Sequence, residues 1–376
     1  MGCGGGSGAA DASSGGNSGG GGSGGGDTGS INPTSGEYLL QVGADHNLDY
    51  AMIDPTTGVV GSPAVAGGPV WSPGSYPSVL VAPSQKYVYA FQGTIEEVES
   101  FQLGGPGLLL TGLGGVPMTQ ALQSMTLDPS GQHLYVIEGA ATIQEFNVGG
   151  GGLQEGPGLT VMADMRVMVI DPSGKFLFAN DYGGGRIFAY QINPTDGSLS
   201  AVAGSPFPTP ASTLPPGGLV ISGSGSSHFL DVQLATVELQ TNDLAAYSID
   251  SVTGALTAVP GSPFSTTSYP TAGLCADPTG KTIYVSNTMA GGIDGFAVDP
   301  DTGVLSRLPG SPFGPASMTG FLTVDASGTH IYASAYETSQ IYGFNRDPVT
   351  GNLTAIPGSP FPSVQQPILI SGLTIQ

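Results

Sequence analysis

Positive charge is scarce in this sequence: seven Lys and Arg residues stand against 28 Asp and Glu, which gives a formal net charge of −21. Such an acidic chain repels the phosphates of nucleic acids and the headgroups of anionic membranes, and it cannot bind them by releasing counterions. Nucleic acid is therefore excluded as a partner. Cations and neutral sugars remain compatible with the charge.

Cysteine and long apolar segments are also scarce. The two cysteines, Cys3 and Cys275, provide no disulfide framework. Cys275 lies in an apolar segment, which predicts a small buried strand residue. No apolar run approaches the roughly 20 residues that a membrane-spanning helix needs. Packing must therefore stabilise the folded part of the chain.

Glycine and proline are abundant, and the first 35 residues are mostly Gly and Ser. These residues have almost nothing to bury, so the cost of ordering them cannot be recovered. We expect a disordered tether over 1–35 and one folded domain over 36–376. Gly2 and Cys3 resemble the junction of a bacterial lipoprotein, where a small residue precedes a lipidated cysteine; the alternative is a chance cysteine in a linker.

The tether, the low lysine content and the acidic balance favour an extracytoplasmic location, whether secreted, periplasmic or lipid-anchored at the cell surface. Contact with a membrane is expected only through a lipid on Cys3.

Short motifs repeat along the folded part. Gly-Ser-Pro-Phe begins at Gly204, Gly261, Gly310 and Gly358, and a Gly-Ser-Pro-Ala variant begins at Gly61. From the first to the last of these is 297 residues, or six steps of 49.5. This period is typical of a propeller blade.

Two more markers recur with the same period. Asp-Pro-x-Gly or a close variant separates two apolar runs in four units, which predicts a hairpin turn; these turns begin at Asp128, Asp171, Asp277 and Asp325. An aromatic residue then occupies a fixed place in the next strand, and its seven positions are Tyr38, Tyr89, Tyr135, Phe178, Phe229, Tyr284 and Tyr332.

These repeats predict an all-β fold, a seven-bladed β-propeller of four-stranded antiparallel blades. The first unit lacks an inner strand, and the chain ends with a segment, 367–376, that matches an inner strand with no unit after it. We therefore expect the C-terminal strand to close the first blade.

The last units carry a recognisable family pattern. Tyr284-Val-Ser-Asn287, preceded by Asp277-Pro-Thr-Gly280 and followed by Asp301-Thr-Gly303, resembles the repeat of the YVTN-type, lactonase-like β-propellers. That family includes 6-phosphogluconolactonase-like proteins, and the resemblance covers 36–376. It implies the propeller fold and, as an activity, hydrolysis of a lactone. Family members often place Arg and His at the start of inner strands, but here only Arg166 matches and Val167 stands in the His position, which weighs against hydrolysis.

Propellers bind ligands at one mouth of the central channel. Counting three residues past each blade aromatic gives a ring of seven positions at one mouth, of which five are polar: Gln41, Gln92, Glu138, Asp181, Val232, Asn287 and Ala335. Carboxylate, guanidinium and imidazole groups there can supply acid, base and oxyanion-binding chemistry. The candidate catalytic residues are Glu138, Asp181, Arg166, Arg186 and His46. The alternative is that these side chains only close local turns.

No cofactor is required by this pattern, although the acidic mouth is compatible with Ca²⁺, for which Asp45 and Asp231 are the candidate ligands. The first functional hypothesis is a surface-exposed binding module for a carbohydrate or an envelope protein. The second is a lactonase-type hydrolase acting on a sugar or small lactone. A third is self-association into a surface layer, and the oligomeric state stays open.

Overall fold

The structure is a computed structural model, and it describes residues 36–43, 48–66, 78–84, 86–92, 95–104, 110–139, 141–210, 216–235, 242–266, 273–287, 291–315, 320–367 and 369–375. These residues form seven antiparallel sheets, so the predicted seven-bladed propeller is confirmed. Within these ranges every regular element is a strand, and no helix long and apolar enough to cross a membrane occurs. The predicted tether and the positions of Asp45 and His46 lie outside the described residues.

We number the blades in chain order. Blade 1 contains β1 (Gly36–Val42), β2 (Leu48–Ile53), β3 (Ala64–Val65) and the C-terminal strand β31 (Leu369–Ile375). Blade 2 contains β4 (Ser78–Val81), β5 (Tyr87–Gln92), β6 (Ile95–Leu103) and β7 (Leu110–Pro117). Blade 3 contains β8 (Leu122–Leu127), β9 (His133–Glu138), β10 (Thr142–Gly149) and β11 (Gly152–Thr160).

In blades 4 to 7 the strands follow one another in chain order from the inner strand outward. Their strands are β12 (Met168–Ile170), β13 (Phe176–Asp181), β14 (Arg186–Ile192), β15 (Leu199–Ala201) and β16 (Phe207–Pro208); β17 (Pro216–Ser224), β18 (Ser227–Ala235), β19 (Asn242–Ile249), β20 (Leu256–Ala258) and β21 (Phe264–Ser265); β22 (Leu274–Ala276), β23 (Thr282–Ser286), β24 (Ile293–Val298) and β25 (Leu305–Arg307); β26 (Leu322–Val324), β27 (His330–Ala335), β28 (Gln340–Arg346), β29 (Leu353–Ala355) and β30 (Phe361–Pro362).

The C-terminal strand closes the ring. β31 pairs antiparallel with β1 over the whole length of β1, from Gly36 opposite Ile375 to Val42 opposite Leu369. The inner strands also contact one another in order around the ring, and β31 touches both β26 and β4. The predicted closure of the first blade by the end of the chain is therefore confirmed.

The hydrophobic core is divided among the interfaces between blades. Each of seven clusters of buried side chains contains residues from two neighbouring blades. Between blades 3 and 4, for example, Tyr135 and Ile137 lie in one cluster with Met168 and Leu177. Each sheet thus buries both of its faces against neighbouring blades. A single blade would expose both faces to water, so we do not expect it to fold alone.

The turns between the third and fourth strands join neighbouring blades. In the turn between the third and fourth strands of blade 1, the backbone N–H groups of Thr57 and Thr56 donate to Asp54 Oδ1, both at 2.9 Å, and lower the pKa of that carboxyl. The turn ends at Gly58, whose φ of 70° favours glycine. The Tyr332 hydroxyl of blade 7 donates to the Gly58 carbonyl at 3.0 Å. The blade aromatic therefore docks onto the next blade's turn.

The Gly-Ser-Pro-Phe repeat splits the outer strand in two. In blade 4 the chain leaves the sheet after β15, and the Ala189 N–H donates to Ser205 Oγ at 2.9 Å. Phe207 then returns to pair with Ile187 as part of β16. The serine thus satisfies a strand N–H group that would otherwise lack a partner on this edge. The Ser205–Pro206 bond is cis, as are its counterparts in the other three copies.

Candidate functional site

Glu138 and Asp181, two of the predicted mouth residues, lie on one face of the ring. Glu138 ends β9, where it pairs with Leu122 at the start of the inner strand β8. Asp181 ends β13 and pairs with Arg186 at the start of β14. Second strands therefore end at the same face from which inner strands begin, as the spacing predicts.

Asp181 and Arg186 form a nearly buried ion pair in blade 4. Arg186 Nε and Nη2 both donate to Asp181 Oδ2, at 3.0 and 2.5 Å. The other carboxylate oxygen, Oδ1, accepts the backbone N–H groups of Asp164 and Gly184, each at 3.1 Å. The Asp181 side chain is 3% exposed, whereas that of Arg186 is 42% exposed. Asp181 therefore fixes two loops and presents a guanidinium group to solvent.

Arg166 lies beside this pair in a second one. Its Nε and Nη2 donate to the two carboxylate oxygens of Asp164, at 3.2 and 3.0 Å. Its guanidinium carbon lies 3.9 Å from the centroid of the Tyr182 ring, which is a cation–π contact. Both charged side chains are partly open to solvent, at 48% for Arg166 and 38% for Asp164.

Asn180 anchors the backbone that carries Arg166. Its Oδ1 accepts the N–H groups of Arg166 and Val167, both at 2.9 Å. Its Nδ2 donates to the carbonyls of Pro216 and Gly217 in blade 5. Because this amide is fully buried and all its hydrogen-bonding groups are used, it fixes the position of the backbone that leads into the inner strand of blade 4.

An open depression lies between blades 3 and 4 beside these pairs, with a volume of about 630 Å³. Its lining combines apolar side chains with two carboxylates and a guanidinium group. Its lining residues are Ala141, Thr160, Val161, Met162, Ala163, Asp164, Asp181, Gly183, Gly184 and Arg186. The arrangement can hold a small ring with an apolar face on one side and hydrogen-bonding groups on the other.

Among the described residues, the Glu138 side chain bonds to Thr119 and Gln120 and not to the two ion pairs. Its Oε1 accepts the N–H of Thr119 at 2.5 Å, the hydroxyl of Thr119 at 2.8 Å and the N–H of Gln120 at 2.9 Å. Gln41 of blade 1 acts in the same way, since its Oε1 accepts from Ser363 and Val364. At three ring positions, including Asp181, the side chain therefore holds the loop that leads into an inner strand.

Asp231 does not lie at the mouth, contrary to the sequence prediction. β18 continues past it to Ala235, so Asp231 sits in the middle of the strand and is fully buried. Ser222 donates to its Oδ2 at 2.5 Å, and burial raises its pKa to about 7. Over the part of the chain that the structure describes, no three His, Cys, Asp or Glu side chains form a group that can hold a metal ion. Asp45, the other candidate ligand, is outside that part, as is His46.

Sequence reasoning missed Asp164 and Tyr182. The available signal for Asp164 was its place two residues before Arg166, because alternate residues of an extended segment point to the same side. Tyr182 follows Asp181 directly, and nothing in the repeat marks it. The connection that carries Asp164 follows no repeated motif, so its approach to Asp181 was not predictable from spacing.

Comparison with solved structures gives the same fold. A candidate 6-phosphogluconolactonase from Bacteroides uniformis matches with a TM-score of 0.70 and 20% identity over 90% of this chain and 100% of that chain. The periplasmic gluconolactonase of Pseudomonas aeruginosa gives the same four values. A protein from Lactobacillus plantarum has a TM-score of 0.71 at 17% identity, over 90% of this chain and 99% of that one. At such identities the likeness is one of fold.

Comparison with curated proteins finds no match. The family model described as "Lactonase, 7-bladed beta-propeller" matches residues 72–371, which is most of the chain. The protein therefore belongs to the lactonase family of seven-bladed β-propellers.

Proposed function

We propose that the protein is a hydrolase that opens a sugar lactone in the depression between blades 3 and 4. The observation that carries the proposal is the pair of half-exposed guanidinium groups, Arg166 and Arg186, each held by two hydrogen bonds to an aspartate. Membership in the lactonase family supports the same reaction class. This function ranks above a pure binding module because guanidinium donors fixed at the rim of a concave surface suit a developing oxyanion.

The reaction requires a negative charge to be stabilised. When water adds to the lactone carbonyl carbon, the carbonyl oxygen becomes an oxyanion, and fixed N–H donors lower the energy of that state. Arg186 uses Nε and Nη2 for Asp181, so the donors on its Nη1 remain for a substrate oxygen. We assign oxyanion binding to Arg186, with Arg166 as the second donor.

Asp164 is the group best placed to take the proton of the attacking water. Its carboxylate is 38% exposed and lines the depression, whereas Asp181 is almost fully enclosed. The proton then passes to the ring oxygen as the carbon–oxygen bond of the lactone breaks, and a hydroxy acid is released. Asp181 and Glu138 act as positioning residues in this scheme, since both are nearly buried and accept backbone N–H groups of neighbouring loops.

Hydrolysis of D-gluconolactone, corrected for its spontaneous opening, tests the proposal. We expect kcat/KM to fall by roughly 100-fold in Arg186→Met, because removing one oxyanion donor commonly costs about that much. Arg307→Met is the matched control, since Arg307 makes a similar pair with Asp294 outside the depression. A wild-type rate equal to the spontaneous rate across a panel of aldonolactones would reject the hydrolase function.

A non-catalytic binding module is the second candidate. It is favoured because Glu138 Oε1 and both Asp181 oxygens accept hydrogen bonds from the protein itself, which gives two of the predicted catalytic carboxylates a structural role. Its partner would be a carbohydrate or an envelope protein. Binding to a glycan panel without turnover of any lactone would support this candidate.

We also propose an extracytoplasmic location and a reaction that needs no cofactor. The Gly/Ser-rich segment with Cys3 and the periplasmic location of one structural neighbour support the first point. Membrane fractionation of the wild type and of Cys3→Ser tests it, because loss of membrane association in the variant alone indicates a lipid on Cys3. Turnover that persists in EDTA tests the second point, and a Ca²⁺ requirement would overturn it.

A further inference from the structure

The charge around the depression points to the class of lactone that fits it. All four arginines of the chain are paired with an aspartate: Arg166 with Asp164, Arg186 with Asp181, Arg307 with Asp294 and Arg346 with Asp277. Asp164, Asp181 and Arg186 line the depression, and Arg166 is bound to Asp164 beside it, so each of these two guanidinium charges is balanced by a carboxylate within 3.0 Å. The local net charge of these four side chains is therefore zero.

The three lysines lie at the opposite face of the ring. Lys86, Lys175 and Lys281 each come just before the second strand of a blade, whereas Asp181 ends such a strand. Six residues of extended chain place the two ends of β13 about 20 Å apart. Charges at this separation are screened, because the Debye length in physiological salt is about 8 Å. The lysines therefore cannot balance an anion in the depression.

The glycine-rich turn at the depression is not a phosphate nest either. Such a nest needs backbone N–H groups aimed at the ligand. The Gly184 N–H donates to Asp181 Oδ1, and the Gly185 N–H donates to the Asp181 carbonyl at 3.0 Å. Both donors are thus used inside the turn.

We propose that the substrate is a neutral polyhydroxy lactone, one that carries neither a phosphate nor a carboxylate. This inference rests on the proposed function. Among the described residues an anionic ligand would meet no unopposed cation at the depression, and it would approach a chain of net charge −21. Hydroxyl groups, in contrast, both donate and accept, so they can bond to the carboxylate and the guanidinium of a pair that is already formed. The apolar lining residues Val161, Met162 and Ala163 supply a surface for the C–H groups of such a ring.

The test compares D-gluconolactone with 6-phosphogluconolactone at low and at high ionic strength, each corrected for spontaneous hydrolysis. At low ionic strength we expect kcat/KM to be at least roughly tenfold higher for the neutral lactone, and the value for the phosphorylated one to rise with salt as repulsion is screened. Equal values, or a preference for the phosphorylated lactone, would overturn this inference while leaving the hydrolase function intact. No turnover of either compound would reject both.

The Asp164→Asn variant tests the same inference more directly, because it leaves the positive charge of Arg166 without its carboxylate partner. We expect the ratio of kcat/KM for the phosphorylated over the neutral lactone to rise about fivefold, the effect of one unit charge a few ångströms away in water. The ratio cancels any loss of the general base. If turnover is too slow to measure, calorimetry compares the affinity of Asp164→Asn and of the wild type for inorganic phosphate, and we expect the variant to bind it more tightly. Asp294→Asn is the control, and an unchanged ratio or affinity in Asp164→Asn would contradict the inference.

Discussion

Asp231 is a carboxylic acid enclosed in the middle of a blade. Desolvation raises its pKa to about 7, and the hydrogen bond from Ser222 offsets only part of this effect. Its Oδ1 is buried without a hydrogen-bond partner. Such a group is neutral below about pH 7, and ionising it inside the fold is unfavourable.

Asp231→Asn should therefore remove a pH-dependent destabilisation. Because the folded pKa lies above the unfolded value of 3.8, the folded state binds the proton more tightly, and wild-type stability falls as the pH rises from about 4 to about 7. We expect the variant to match the wild type near pH 4 and to gain about 2–4 kcal/mol in free energy of unfolding above pH 7. Denaturant titrations from pH 4 to 8.5 measure this difference. A constant difference across that range would show that Asp231 does not titrate as described.

The blade aromatics offer a matched pair of substitutions. Tyr135 and Tyr89 are both fully buried at equivalent places, but the Tyr135 hydroxyl donates to the Gly197 carbonyl at 2.8 Å, whereas the Tyr89 hydroxyl is buried without a hydrogen bond. We expect Tyr135→Phe to cost about 1–2 kcal/mol, because it leaves a buried carbonyl unsatisfied. Tyr89→Phe should be neutral or stabilising. Equal effects in chemical denaturation would contradict the importance of the contact between blades.

At the scale of the strand, the Gly-Ser-Pro-Phe copies stabilise the exposed edge of a blade. Ser205→Ala removes the acceptor of the Ala189 N–H, and we expect a loss of about 1 kcal/mol in the free energy of unfolding. Ser251→Ala, at an exposed turn residue, is the control and should change it by less than about 0.5 kcal/mol. Thermal unfolding of the two variants side by side decides between a structural role for the motif and a chance repeat.

The elements were largely predictable because their signals are local. Asp128 and Gly131 define a turn through their own chemistry, and the blade aromatics recur at a fixed distance from such turns. The length of β18 was not predictable, since nothing in its sequence marks the extra residues that move Asp231 away from the mouth. The partners of Glu138 and Asp181 were also not predictable, because the loops that supply Thr119 and Asp164 belong to no repeat. Local patterns thus determine strands and turns, while the site depends on contacts between them.

At the scale of the whole molecule, the two ends of the chain should contribute unequally to stability. Removal of residues 369–376 deletes β31 and leaves the inner edge of blade 1 unpaired. We expect this truncation to lower Tm by more than about 10 °C or to abolish a cooperative transition, because the blade loses a full strand of hydrogen bonds and packing. Removal of residues 1–35, the segment expected to be a tether, should leave Tm unchanged. A small effect of the C-terminal truncation would show that closure contributes little.

Hydrogen exchange of β1 in the intact protein tests the closed ring most directly. β1 is paired with β2 on one side and with β31 on the other, so both edges of the strand are bonded. We predict that amides of 36–42 exchange as slowly as those of β9 and β13, which are central strands of their blades. Exchange of 36–42 at the rate of an outer strand such as β15 would contradict closure by the C-terminal strand.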